Sequence, residues 1–152
     1  MLLTGNYRRN LDDKLRVAIP KQLRDGIGFP DRSTLFIAPG TDHSLSIYTC
    51  EVLERMGSLI ESSSPAARDT RAFSRLFYAQ AQPADIDKQG RLRIPPELAT
   101  LAGLASEVVV LGVRDRIEIW NSSNWDQFLA QTQPNYDQLA ETVLGNTEIK
   151  PN

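Results

Sequence analysis

An α+β fold built from two related units is what this sequence predicts, on three observations. The run Leu11-Asp12-Asp13-Lys14-Leu15-Arg16-Val17-Ala18-Ile19-Pro20 returns 75 residues later as Ile86-Asp87-Lys88-Gln89-Gly90-Arg91-Leu92-Arg93-Ile94-Pro95. In that register Asp12/Asp87, Arg16/Arg91, Ile19/Ile94, Pro20/Pro95 and Leu23/Leu98 are identical, while Leu11/Ile86 and Val17/Leu92 stay apolar. Further along, Leu45-Ser46-Ile47-Tyr48 matches Ile117-Glu118-Ile119-Trp120 at an offset of 72, so each half repeats a whole supersecondary module. Finally, each copy mixes short strand signals with helix signals. Two fused copies predict packing about a pseudo-two-fold axis, because about 70 residues alone bury a marginal core.

Each copy opens with a strand, a polar turn and a second strand running into Ile-Pro, which is a hairpin pattern. Proline cannot continue a ladder, but its fixed φ suits a helix start. Short helices therefore follow at Pro20-Lys21-Gln22-Leu23-Arg24 and Pro95-Pro96-Glu97-Leu98-Ala99, stopped by Gly26-Ile27-Gly28 and by Gly103. Paired strands come next, Leu35 to Ala38 with Leu45 to Tyr48, and Val108 to Gly112 with Arg116 to Trp120. A helix from about Cys50 to Ile60 follows the first pair. Its second-half counterpart shows Trp125, Phe128 and Leu129 at helical spacing, with Ser122, Ser123 or Asn124 as cap. Between the halves, Ser62-Ser63-Ser64-Pro65 announces a bridging helix whose apolar stripe is Phe73, Leu76 and Phe77, with Arg68, Arg71 and Arg75 on its outer face. Beyond Pro134 a last amphipathic segment carries Leu139, Ala140, Val143 and Leu144.

The 152 residues, 41% hydrophobic, suit a compact globular body. The longest apolar runs fall well short of the 18 or so residues of a membrane span, and the opening residues lead straight into charged sequence. A cytoplasmic location is expected, and the single cysteine, Cys50, agrees with a reducing compartment and is expected to be at least half-buried. The net charge of -2 conceals a gradient. Residues 1–24 hold six basic side chains against two acidic ones, whereas from residue 94 onward three basic groups face eight carboxylates. Such segregation creates local fields that a near-neutral total does not.

The chemistry concentrates at the two hairpin tips, where Asp12 precedes Arg16 and Asp87 precedes Arg91 by four residues across a turn. An aspartate at a turn start accepts backbone N–H groups and can also hold a guanidinium, whose planar fork of donors suits phosphates and guanine edges. Catalysis finds no comparable support. His43 is the lone histidine, expected in an exposed loop, and no second Cys or His completes a metal site or a nucleophilic triad. Gly57-Ser58, the dipeptide of self-cleaving pyruvoyl enzymes, falls in a helix instead of a strained turn. Trp120 and Trp125 sit at core-facing positions, which favours burial over stacking on bases.

The segments Phe73-Ser74-Arg75-Leu76-Phe77, Ile86 to Pro95, Glu107 to Val113 and Arg116 to Trp120, together with the first-half copy Leu11 to Pro20, resemble the MraZ family over nearly the whole chain. The resemblance implies a pseudo-two-fold pair of AbrB-like, βαβ-type units forming a swapped-hairpin β-barrel with peripheral helices. The first unit would be residues 1–62, a connecting helix 63–80, the second unit 81–133, and a C-terminal helix and tail 134–152. It further implies a sequence-specific DNA-binding transcriptional regulator of the division and cell wall gene cluster, cytoplasmic and nucleoid-associated. Its partners would be double-stranded promoter DNA and copies of itself in a homo-oligomeric ring, with no cofactor, metal, membrane or small-molecule substrate.

The family's Asp-x-x-x-Arg motif falls on Asp12 with Arg16 and on Asp87 with Arg91. Lys14, Lys88 and Arg93 would add phosphate contacts, and Arg8 and Arg9 in the basic opening segment are further DNA-binding candidates. Glycine usually precedes the motif arginine; Gly90 obeys, but the first copy has Leu15. A left-handed backbone costs leucine about 1 to 2 kcal/mol, so the first turn either takes another geometry or holds strain. The competing reading is a protein-interaction module of a barrel fold with no DNA binding, which would tolerate loss of both Arg16 and Arg91.

Overall fold

The computed structural model describes residues 1–30, 34–64 and 66–145, so Pro65 of the bridging signal and the polar tail lie outside the described residues. It divides into a larger compact unit, residues 1–122, and a smaller one that begins at Ser123. In the larger unit the chain runs β1 (Asn6–Asn10), β2 (Arg16–Ala18), α1 (Lys21–Ile27), β3 (Leu35–Pro39), β4 (Leu45–Thr49), α2 (Cys50–Ser62) and α3 (Arg68–Gln80). The order then repeats as β5 (Gln82–Pro83), β6 (Asp85–Ile86), β7 (Arg91–Arg93), α4 (Pro96–Leu101), β8 (Glu107–Val113) and β9 (Arg116–Asn121). Helix α5 (Ser122–Thr132) opens at the position that matches Cys50, earlier than the Ser123 and Asn124 caps suggest.

The strands make two antiparallel sheets, one of six in the order β1-β8-β9-β4-β3-β5 and one of three in the order β2-β7-β6. The fold is α+β, as the sequence indicates, but the described strands form two sheets and do not close into a single barrel. The hairpin strands are short, two or three residues each from β5 to β7, which limits how far their ladders extend. The repeat is visible in the pairing itself. β2 meets β7 with Val17 opposite Leu92, residues equivalent at the 75 offset. β4 meets β9 with Ser46 opposite Glu118, residues equivalent at the 72 offset. The pseudo-two-fold therefore passes through both sheets. The halves also exchange edges: β1 of the first pairs with β8 of the second, and β5 of the second with β3 of the first.

One core joins the sheets. Val17, Ile19, Leu92 and Ile94 from the smaller sheet pack with Ile37, Leu45, Ile47, Val108, Val110, Ile117 and Ile119 from the larger. Leu23 of α1 and Leu98 of α4, an identical pair in the repeat, close its ends. Pro20 and Pro95 stand at the caps of these helices with φ of -53° and -57°, and Gly28 ends α1 in the left-handed region that a side chain resists. A second cluster of Ala38, Tyr48, Val52, Leu53 and Phe77 sits where α2 and α3 cover the other face of β3 and β4, which explains why β4 is buried along its whole length. Here the stripe on α3 departs from expectation: Phe77 is buried, while Phe73 and Leu76 are exposed at 47% and 63%. Cys50 is likewise exposed, because the first residue of α2 lies outside the apolar face that Val52 and Leu53 present inward.

In the smaller unit, α5 stacks Trp125 on Phe128 with centroids 5.4 Å apart, and Trp125, a core-facing position in the sequence pattern, is half-buried. A 3₁₀ turn (Gln133–Asn135) leads to α6 (Tyr136–Leu144), whose Tyr136, Leu139 and Val143 are exposed.

Candidate nucleic-acid interface

The two hairpin tips are built alike, atom for atom. In the first, one Asp12 carboxylate oxygen accepts the backbone N–H of Lys14 at 2.9 Å and of Arg16 at 2.8 Å, while the other accepts Arg16 Nε at 2.8 Å. In the second, Asp87 accepts the N–H of Gln89 at 2.9 Å and of Arg91 at 3.0 Å, and Arg91 Nε at 2.9 Å. The backbone closes each turn reciprocally: Asp12 N–H donates to the Arg16 carbonyl and Leu15 N–H to the Asp12 carbonyl, as do Asp87 to Arg91 and Gly90 to Asp87. Cross-links between halves are also paired, since Ile19 N–H donates to the Gly90 carbonyl and Ile94 N–H to the Leu15 carbonyl.

Direction follows from the pleat. Val17 and Leu92 are fully buried, so their neighbours Arg16, Ala18, Arg91 and Arg93 project from the opposite, outer face of the small sheet. Each aspartate binds Nε of its arginine, which orients the guanidinium and leaves its far edge toward solvent. The pairs are partly exposed, with side-chain accessibilities of 31% for Arg16 and 35% for Arg91. Lys14 and Lys88 are exposed at the tips, and Arg93 is exposed on the strand. Arg8 and Arg9 lie apart from the tips on β1, opposite Val109 and Val108. Arg8 donates to the Ser122 hydroxyl at 2.6 Å, and Arg9 lies over the Tyr7 ring. His43 is exposed in the β3–β4 turn, as expected, and Gly57-Ser58 lies within α2.

Leu15 settles the geometry of its own turn. Its φ is +60°, against +80° at Gly90, so the first turn keeps the left-handed conformation. Leucine tolerates it because its side chain packs against the core cluster. Gly90 has no such freedom: a Cβ there would stand 2.6 Å from the Arg24 guanidinium carbon. We expect Gly90→Ala to cost about 1 to 2 kcal/mol in urea denaturation, and Leu15→Gly to change stability by less, since relieved strain offsets lost burial.

Both carboxylates titrate below their ordinary range. The largest cause is the N–H of the motif arginine's own backbone, followed among the favourable effects by its side chain. A depressed folded-state pKa means that the turn's stabilisation is complete above the unfolded value and fades as pH falls through the folded one. Turn order is thus expected to hold through neutral pH and to be lost only below about pH 4, with the Asp12 and Asp87 carboxyl resonances titrating below free aspartate.

A tandem α+β architecture that points two matched Asp–Arg turns from one sheet face defines a two-unit protein with internal two-fold symmetry. A family model described as "MraZ protein, putative antitoxin-like" matches residues 77–146. A curated relative from Finegoldia magna, named Transcriptional regulator MraZ, is 37% identical over 140 residues, covering 92% of this chain and 95% of its own. A relative of the same name from Desulforamulus reducens is 34% identical over 143 residues, covering 94% and 98%. Another from Lactobacillus helveticus is 36% identical over 142 residues, covering 93% and 96%. The chain belongs to the MraZ family of transcriptional regulators and is a regulator, not an enzyme. Among the described residues no helix is long and apolar enough to cross a membrane.

Arg24 is the residue at this site that sequence reasoning passed over. It follows the repeated Leu23/Leu98 pair, but its counterpart is Ala99, so the repeat hid it. The signal was the glycine at position 90, which only a close neighbour or a left-handed turn demands.

Proposed function

We propose that this protein binds double-stranded promoter DNA in a sequence-specific manner through the Asp12–Arg16 and Asp87–Arg91 turns. Arg16 and Arg91 read base edges, while Lys14, Lys88, Arg93, Arg8 and Arg9 contact phosphates. The observation that carries this reading is the matched pair of pre-oriented guanidinium groups on one outer sheet face, related by a pseudo-two-fold. The edge exchange between halves supports two AbrB-like units with swapped hairpins, residues 1–62 and 81–133, joined by the segment 63–80. One chain offers two tips, and a homo-oligomeric ring offers several. Linked tips convert later contacts into intramolecular ones, and repeats about 10 base pairs apart keep successive subunits on one side of the duplex. Regulation then follows from occupying a promoter, that of the division and cell wall gene cluster.

The test is an electrophoretic titration with the duplex upstream of this protein's own gene and a scrambled duplex of equal length and composition. Tight binding to the first alone supports the reading; equal binding to both, or to neither, overturns it.

A further inference from the structure

We infer that each DNA-facing tip is completed by an arginine from the opposite half, and that the two halves supply it from different places. Arg24, on α1 of the first half, belongs to the Asp87–Arg91 tip. Arg93, on β7 of the second half, belongs to the Asp12–Arg16 tip. The inference rests on the DNA-binding reading and assigns residues to its two tips.

The placement of Arg24 is explicit. Its Nε donates to the Ile19 carbonyl at 2.9 Å, and Ile19 N–H in turn donates to the Gly90 carbonyl at 3.0 Å. The guanidinium lies directly on the Gly90 turn, where a Cβ would meet Arg24 Cζ and Nε at 2.6 Å and Cδ at 2.9 Å. Gly90 is buried as a result, in a turn whose flanking Gln89 is exposed. At the first tip the corresponding helix position is Ala99, which is small, buried and unable to cover Leu15 with charge. Leu15 instead packs its side chain against the core cluster to which Ala99 belongs.

Arg93 shows the converse asymmetry. In the β2–β7 ladder it stands directly opposite Arg16, at the end of the strand pair where the first tip begins. The equivalent position beside Arg91 is held by Ala18. Like charges directly opposite in a sheet repel. Asp85 stands opposite Arg93 on its other side in the β6–β7 ladder and offsets part of that repulsion, and an anion bound between Arg16 and Arg93 relieves the rest. The first tip thus gathers Lys14, Arg16 and Arg93 against Asp12, Asp13 and the Asp85 opposite Arg93, and the second gathers Arg24, Lys88 and Arg91 against Asp87. The first tip is balanced in formal charge and the second is basic. Phosphate attraction is consequently uneven across the pseudo-two-fold, and sequence neighbours do not define which residues act together.

Double-substitution cycles test this, using the full-length protein and fluorescence anisotropy on the duplex upstream of its own gene. Arg24→Ala and Arg93→Ala should each weaken binding about tenfold and lower the salt slope by about one, with thermal melting unchanged within a few degrees. Coupling should appear between Arg24→Ala and Arg91→Ala, and between Arg93→Ala and Arg16→Ala, while Arg24→Ala with Arg16→Ala should be additive. Coupling that instead follows chain halves, Arg24 with Arg16 and Arg93 with Arg91, overturns the inference, as does wild-type affinity in Arg24→Ala. Arg24→Lys should recover much of the affinity if charge at the tip is what matters, and none if only packing on Gly90 does; the latter result also overturns it. If the wild-type protein fails to bind while Arg24→Ala still shifts the Gly90 amide resonance and spares Leu15, the DNA reading itself has failed, and the inference falls with it.

Discussion

Replacing Arg16 and Arg91 together by alanine is expected to abolish specific promoter binding, a loss of at least about 3 kcal/mol, or more than a hundredfold in affinity. Each charge-assisted contact contributes about 1.5 to 3 kcal/mol, and the substitution does more than delete two contacts. It leaves Asp12 and Asp87 without their guanidinium partners on a face meant to approach a polyanion, so attraction becomes repulsion. The fold should survive, because a partly exposed ion pair contributes at most about 1 kcal/mol and each aspartate keeps its two backbone donors. Arg16→Lys with Arg91→Lys sharpens the argument. Lysine keeps the charge but lacks the planar fork, so non-specific binding should persist while preference for the promoter duplex falls. Anisotropy titrations on promoter and scrambled duplexes, with thermal melts alongside, check both expectations.

The second large effect concerns stability. Leu92→Ala should cost about 2 to 5 kcal/mol in urea denaturation followed by circular dichroism. Leu92 is fully buried where the small sheet crosses the pseudo-axis, facing Val17, and neighbours from both sheets surround it. A cavity there weakens both halves at once, since both contribute side chains to the core cluster that Leu92 belongs to. Leu76→Ala offers the contrast: that side chain is 63% exposed on α3, and its removal should change stability by less than about 0.5 kcal/mol. Equal costs at the two positions would mean that the core is not where the structure puts it.

How far the sequence discloses this molecule depends on whether a feature is local or repeated. The hairpins, the Ile-Pro helix starts and the paired strands were legible, because each rests on nearest-neighbour geometry and appears twice. The tips were legible for the same reason, as an aspartate and an arginine four apart across a turn can meet only one way. Features that depend on distant parts of the chain were not. No local signal says that β1 pairs with β8, or that an arginine on α1 lies on a turn more than 60 residues away. The arrangement of strands in two sheets escaped for similar reasons, being set by ladder lengths that periodicity does not fix. Phe73 and Leu76 misled because a helical stripe reports amphipathicity without naming what covers it. Leu15 was a real ambiguity in sequence, resolved only when its φ placed it with glycine and its side chain against the core.

The decisive comparison is the salt dependence of promoter binding in the wild-type protein and in the Arg16→Ala, Arg91→Ala variant. Each phosphate neutralised contributes about 0.9 to the slope of log K against log salt. The wild type should show a steep slope, and the variant a shallower one with affinity no longer distinguishing promoter from scrambled DNA. Superimposable titrations for the two proteins, in slope and in midpoint, would contradict the role given to the two arginines.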